Sequence, residues 1–384
     1  MKNIVFNDFS RLLASIALFT SSLIACDFKL PSPPPETLYK YNAIPIGSGP
    51  AFLITEDFNQ DGFQDIVSAN SKDSSLSLLR GKGDGTFDPA ITFSMPAEPT
   101  TLAVGDLNGD IYPDLAVNSR GSNSFSVLFG MPNGFRINNS VTKTGKVPLG
   151  IILDDFNGDG LTDAAVTLTF DKMEIFIGSG NGKFKLGDRY ITGSRSFSGV
   201  SGDFDGDGKA DIVLAASSAV SSAVKIFKGN GDGTFSGPES IAKGTSPLGV
   251  SSYDMNNDGM KDIVFSSGKG DNMYMAYSKM HGFFEKEIRF SGGGGPLALT
   301  VGHFNEDGLP DVAVANSRAS NFSLVVRRKN GGFVYPTRDY VVDGGTVLAI
   351  TSADFNNDGL TDVAVASNFK NTVEIYLQRR ILRQ

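Results

Sequence analysis

Asp203-Phe204-Asp205-Gly206-Asp207-Gly208-Lys209-Ala210-Asp211 places carboxylates at the first, third, fifth and ninth positions of one short stretch, with glycine at the sixth. Alternate residues of a tight loop can turn their oxygens onto one point, and a sixth-position glycine permits the sharp bend through positive φ. Carboxylates gathered so closely repel one another, and a hard divalent cation removes that repulsion. Oxygen-only ligation from a flexible loop favours Ca2+ over zinc or copper. The residues that follow, 212–216, are apolar and bounded by serines, which reads as a strand. The chemistry is therefore that of a cation loop set between two strands.

The same loop recurs along the chain. It appears as Asp57/Asn59/Asp61/Asp65, as Asp106/Asn108/Asp110/Asp114 and as Asp155/Asn157/Asp159/Asp163. Beyond Asp203/Asp205/Asp207/Asp211 come Asp254/Asn256/Asp258/Asp262, His303/Asn305/Asp307/Asp311 and Asp354/Asn356/Asp358/Asp362. First positions are separated by 49, 49, 48, 51, 49 and 51 residues. One such loop is as readily a solvated acidic turn, but seven in register mark a repeat array. The elements that must position the loops follow the same grammar in each repeat. In the second, residues 101–104 read as an inner strand and 115–117 as the next; 125–129 alternates as a third, and an outer strand falls near 137–142. A glycine-rich turn ending in Phe precedes the outer strand, as in 81–87, 178–184 and 229–235. Asp-Gly and Asn-Gly are tight-hairpin residues, and a phosphate-cradling loop would need a helix after it. The apolar residue at loop position two (Phe58, Leu107, Phe156, Phe204, Met255, Phe304, Phe355) reads as packing between repeats.

These copies resemble the FG-GAP/VCBS repeats of integrin-α-type propellers, over roughly residues 38–378. The resemblance implies an all-β, seven-bladed β-propeller of four-stranded blades, with calcium on the loops of one rim. The last repeat lacks its glycine–Phe hairpin and fourth strand, whereas 38–45 precedes the first inner strand. The N-terminal strand is thus expected to complete the last blade, closing the ring and leaving no long free edge.

Two loops depart from the pattern. Ile111 replaces the glycine of the second, and His303 replaces the first aspartate of the sixth. Of up to seven Ca2+ sites, these two are expected to be weak, since a neutral imidazole is a poor calcium ligand and Ile resists positive φ.

The formal charge of −8 does not describe a generally acidic surface, because 21 carboxylates belong to loop positions and the remainder of the chain is net positive. Lys and Arg form no stripe of the kind nucleic acid requires. Lys2 and Arg11 precede an apolar run, and Leu23-Ile24-Ala25-Cys26 resembles a bacterial lipobox. Residues 1–25 therefore read as a lipoprotein signal peptide, 26–37 as a lipidated cysteine with a Pro-rich tether, and 38–384 as the propeller. Cys26 is the only cysteine, and lipid on it would anchor the chain to the bacterial cell envelope, on its periplasmic or cell-surface side. With two histidines, no G-x-S-x-G and no H-E-x-x-H, the chain offers little for general-base or nucleophilic catalysis. His281 reads as a turn residue. A non-catalytic module binding a protein or other ligand is the expected function. A glycan-binding lectin is the alternative, weakened by the absence of Trp, and a polysaccharide-acting enzyme comes third.

Overall fold

The computed structural model describes residues 34–218, 221–280 and 284–380. The signal-like segment, Cys26, the start of the tether and His281 lie outside the described residues. Seven antiparallel sheets of four strands each follow one another along the chain. In the second blade the strands are Pro99–Gly105, Asp114–Ser119, Ser124–Met131 and Gly134–Lys143. Each falls where the sequence placed it, longer by one to three residues at either end. Among the described residues the single helical turn is Arg120–Ser122.

Burial explains the strand types. The second strand of each blade, such as Asp163–Leu168 or Asp262–Ser267, is buried along its whole length, except at Ser217 of the fourth. A strand covered on both faces must be apolar at successive positions, which is why these runs lack alternation. Outer strands such as Phe184–Ile191 are mostly exposed.

Among the described residues, seven apolar clusters fill the seven spaces between consecutive blades. One joins Ile175 and Phe156 of the third blade to Ile212, Leu214 and Phe227 of the fourth. Another joins Val373, Ile375 and Phe355 of the last blade to Ile66, Leu79 and Phe87 of the first. The position-two residues lie in these spaces as the sequence suggested, and Phe58, Phe156 and Phe355 each meet the Phe of the glycine turn on the following blade. Phe156–Phe235 and Phe58–Phe135 ring centroids are 5.3 and 5.0 Å apart, edge to face.

The expected closure of the ring needs correction. Leu38–Pro45 does pair antiparallel with Thr372–Gln378, from Leu38 opposite Gln378 to Pro45 opposite Thr372. No sheet, however, is closed by hydrogen bonds: each of the seven is a separate four-stranded ladder with two edges of its own. The ring is completed by packing between the last and first blades, and every outer strand keeps an unpaired edge. The physical reason is geometric, since blades stack face to face across side chains and their strands share no ladder. The entering chain is also fastened to the sixth blade. Arg338 donates from Nε and a terminal guanidinium nitrogen to the Pro34 carbonyl (2.9 and 2.7 Å), and the Thr37 and Leu38 amides donate to the Tyr340 hydroxyl. Lys40 bridges Asp343 and Glu374 at 2.8 and 2.9 Å, with the Glu374 side chain only 1% exposed.

Candidate metal centres

Each loop joins the end of an inner strand to the start of the second, so all seven lie on one face of the ring. The ninth-position aspartates, Asp65, Asp114, Asp163, Asp211, Asp262, Asp311 and Asp362, are buried. One carboxylate oxygen of each accepts from a backbone amide at the end of the third strand, at 2.7–2.9 Å. In five blades the other accepts from the amide of loop position two, at 2.9–3.1 Å. The carboxylate thus staples the loop to the third strand, a role the sequence reading missed. Its signal was in the chain, in the first glycine of the hairpin run. A Cβ on Gly178 would lie 2.1 Å from the Thr162 carbonyl oxygen, and one on Gly229 would lie 2.2 Å from that of Ala210. That glycine serves a close backbone approach rather than the turn.

Burial pushes these carboxyls above the usual range. Asp114, Asp163, Asp211 and Asp262 rise to about 6, Asp65 and Asp362 to about 7, and Asp311 to about 8. Neighbouring loop aspartates add to the rise, and the backbone amides oppose it.

The outer positions form a second layer. The first aspartate gathers loop amides, as Asp203 does from Gly206 and Asp207 at one oxygen and from Gly208 at the other. In five loops the third-position Asn donates from Nδ2 to the fifth-position aspartate at 2.8–3.0 Å. These pairs are Asn59 with Asp61, Asn108 with Asp110, Asn157 with Asp159, Asn256 with Asp258 and Asn356 with Asp358. The Oδ1 of each Asn accepts the amide of that same aspartate. The other oxygen of the aspartate accepts the amide two residues further on. The hairpin of the following blade caps the loop from its side: the Gly182 amide donates to the Leu107 carbonyl, and that of Gly233 to the Phe156 carbonyl.

Both departing loops differ in structure. Position six has positive φ in the other six loops, but Ile111 does not adopt it. The strain expected at Ile111 is therefore absent. What the loop lacks is the bond that the sixth-position amide makes to the first aspartate elsewhere, as from Gly160 to Asp155. In the sixth loop Asn305 turns inward and donates to Asp311 at 2.7 Å. Asp307 accepts the Leu309 amide, and its own amide donates to Asn305. The His303 ring lies against Tyr253, with Nε2 3.3 Å from its hydroxyl.

Among the described residues, three carboxylates converge in the fourth loop alone. Oxygens of Asp203, Asp205 and Asp211 lie within 4.8 Å of one another. This set could hold a metal ion, and its oxygen-only chemistry fits a hard divalent cation. Asp207, expected as a fourth ligand, is not part of that convergence and accepts the Lys209 amide instead. Here Asp205 replaces the Asn that bridges the other loops, and Lys228 stands 3.2 Å from its Oδ2. The sequence reading missed this lysine, which partly offsets the crowded charge.

The seven loops thus do not present their carboxylates alike. The loop carboxylates Asp57, Asp61 and Asp65 do not gather as those of the fourth loop do, nor do Asp106, Asp110 and Asp114, or Asp155, Asp159 and Asp163. The same holds for Asp254, Asp258 and Asp262, for Asp307 with Asp311, and for Asp354, Asp358 and Asp362. The physical reason lies at position three. Asn59, Asn108, Asn157, Asn256 and Asn356 bring an N–H donor as well as an oxygen, and that donor holds the fifth-position carboxylate. Asn305 does the same to the ninth. An aspartate in that place has no donor, so Asp205 and its neighbours are left facing one another.

Residues 57–117, 155–214, 203–265, 254–314 and 303–365 match the FG-GAP-like repeat. The chain belongs to the FG-GAP-like repeat family. Integrin alpha-PS5 of Drosophila melanogaster is 27% identical over an alignment covering 36% of this chain. The aligned part spans 17% of that relative's own length. Two crystal structures of BBS1N in complex with ARL6DN, one soaked with mercury and one with lead, superpose with a TM-score of 0.61. The superposition covers 89% of this chain and 97% of theirs at 13% identity, a likeness of fold.

Proposed function

We propose that this FG-GAP-like propeller is a non-catalytic, calcium-ordered module that binds a protein ligand and is held on the bacterial cell envelope by lipid on Cys26. The convergence of Asp203, Asp205 and Asp211 carries the calcium reading. The same residue types at the same loop positions extend it to the loops beginning at Asp57, Asp155, Asp254 and Asp354, with weaker binding at Asp106 and His303. In these loops the residues at positions one, three, five and nine would supply the ligands, the third-position Asn through its carbonyl oxygen once its Nδ2 releases the neighbouring carboxylate. The bound cation would cancel repulsion that the fold otherwise bears. Protein binding is supported by a similar propeller found in complex with a partner, BBS1N with ARL6DN. The envelope assignment rests on the sequence around Cys26.

Thermal unfolding of the full chain in calcium, in magnesium and in EGTA tests the reading. At free calcium ten times Kd each independent site adds about 1.4 kcal/mol, so several sites should raise the midpoint by many degrees. Equal midpoints in calcium and EGTA would sink the metal assignment. For the anchor, wild-type chain expressed in bacteria with labelled palmitate should carry the label and Cys26→Ser should not.

A further inference from the structure

The inner strands start on the face of the ring away from the loops, and their first residues enclose an axial cavity of about 360 Å3. The wall draws on every blade and is mainly aliphatic and aromatic, broken by threonine and serine hydroxyls, with Phe52, Leu149, Phe197, Leu248, Leu297 and Leu348 forming most of a ring. Phe197 is 49% exposed. Among the described residues no carboxylate lines the cavity, and Arg120 is the one charged side chain that does. Arg120 uses Nε to pair with Glu98 at 2.9 Å, both side chains being about half exposed. A pair so open to water holds its partners weakly, and the guanidinium keeps further donors in a planar fork suited to a second carboxylate. Loops and strand starts of the same face carry Lys72, Lys146, Lys172, Arg195 and Lys243 together with Asp73, Asp171, Asp271 and Asp343, a mixed charge that leaves Arg120 as an anionic head group's own contact.

We infer that this cavity binds a straight-chain aliphatic carboxylate, the alkyl chain inside the Leu/Phe ring and the head group against Arg120. The cavity volume lies at the lower end of the range for small-molecule sites. A half-open, largely apolar concavity takes a flexible chain without distortion, and the single cation lining it fixes which end carries the head group. This site lies on the face opposite the loops and depends on neither calcium nor a protein partner, so it goes beyond the function proposed above.

Isothermal titration of the full chain with hexanoate, octanoate and decanoate below their micellar concentrations tests it. Burying each added pair of methylenes should tighten binding by roughly fifteenfold, equally in calcium and in EGTA. Arg120→Gln should weaken decanoate several-fold and abolish its advantage over decylammonium. Leu297→Asn combined with Leu348→Asn, at positions only partly buried, should remove binding, with the unfolding midpoint of each variant confirming a folded chain. Decanoate affinity that survives the double substitution, shows no chain-length dependence, or is matched by decylammonium in the wild type would overturn the inference. Binding to phosphatidylglycerol vesicles but not to monomeric decanoate would overturn it equally.

Discussion

Asp163 and Asp159 belong to the same loop but do different work. Asp163 is buried and accepts two backbone amides, whereas Asp159 is exposed and accepts from its own loop. Asp163→Ala should cost about 3 kcal/mol in EGTA through two unsatisfied amides, and more in calcium, where a ligand is lost as well, by denaturant unfolding. Asp159→Ala should cost stability only when calcium is present. The buried carboxyls also set a pH dependence for the metal-free chain. Their folded pKa values, about 6 to about 8 against an ordinary 3.8, favour the neutral form in the fold. The stability this gives is full below the unfolded value and is lost as pH climbs through the folded one. In EGTA the midpoint should therefore fall between pH 5 and pH 8, and a rise over that interval would contradict it. Ile111→Gly would allow the sixth-position amide to reach Asp106 and should tighten calcium at the second loop, read as a change in titration stoichiometry. The positions of these residues were legible in the sequence. The division of labour was not, because an aspartate buried under backbone amides and one left exposed in the loop share the same letter, and only burial separates them. Nor did the spacing reveal that an Asn such as Asn157 would spend its donor on Asp159, since a motif records which oxygens are present and not which way the nitrogen turns.

At the scale of the element, the hairpin runs ending at Phe87, Phe135 and Phe235 prove to be contacts with the preceding blade. Phe235 is buried against Phe156, and Phe235→Ala should cost about 3–4 kcal/mol, as large-to-small changes at such sites do. Lys40→Met should cost about 2 kcal/mol, since it strands the Glu374 carboxylate that Lys40 now pairs; both values can be read from chemical denaturation. Strand identities were legible because buried second strands run apolar without a break and third strands are bounded by glycine or serine. The hairpin's partner was not, because periodicity along one repeat says nothing about which neighbour its Phe will meet.

For the whole molecule, the seven interfaces carry what the sheets do not share. Deleting residues 1–45 should leave Thr372–Gln378 with an unpaired edge, uncover the last apolar space and replace the single unfolding transition with a broad one. A transition as sharp as that of the intact chain would show that the ring tolerates an incomplete blade. The blade count and the place of the N-terminal strand were readable from the repeat period and the short last repeat. Closure was misjudged because a sequence reveals which strands are available but not whether neighbouring ladders merge or merely stack. The fastening of the entering chain has a mechanical side. Tension applied ahead of residue 34 does not fall first on the pairing of Leu38–Pro45. It is taken up by the Arg338 grip on the Pro34 carbonyl and the Tyr340 hydroxyl, and so by the sixth blade. Only after those yield does load reach the seventh, where Lys40 and Glu374 resist peeling. Two blades share the pull, and the loop-bearing ring is shielded from a force applied ahead of residue 34.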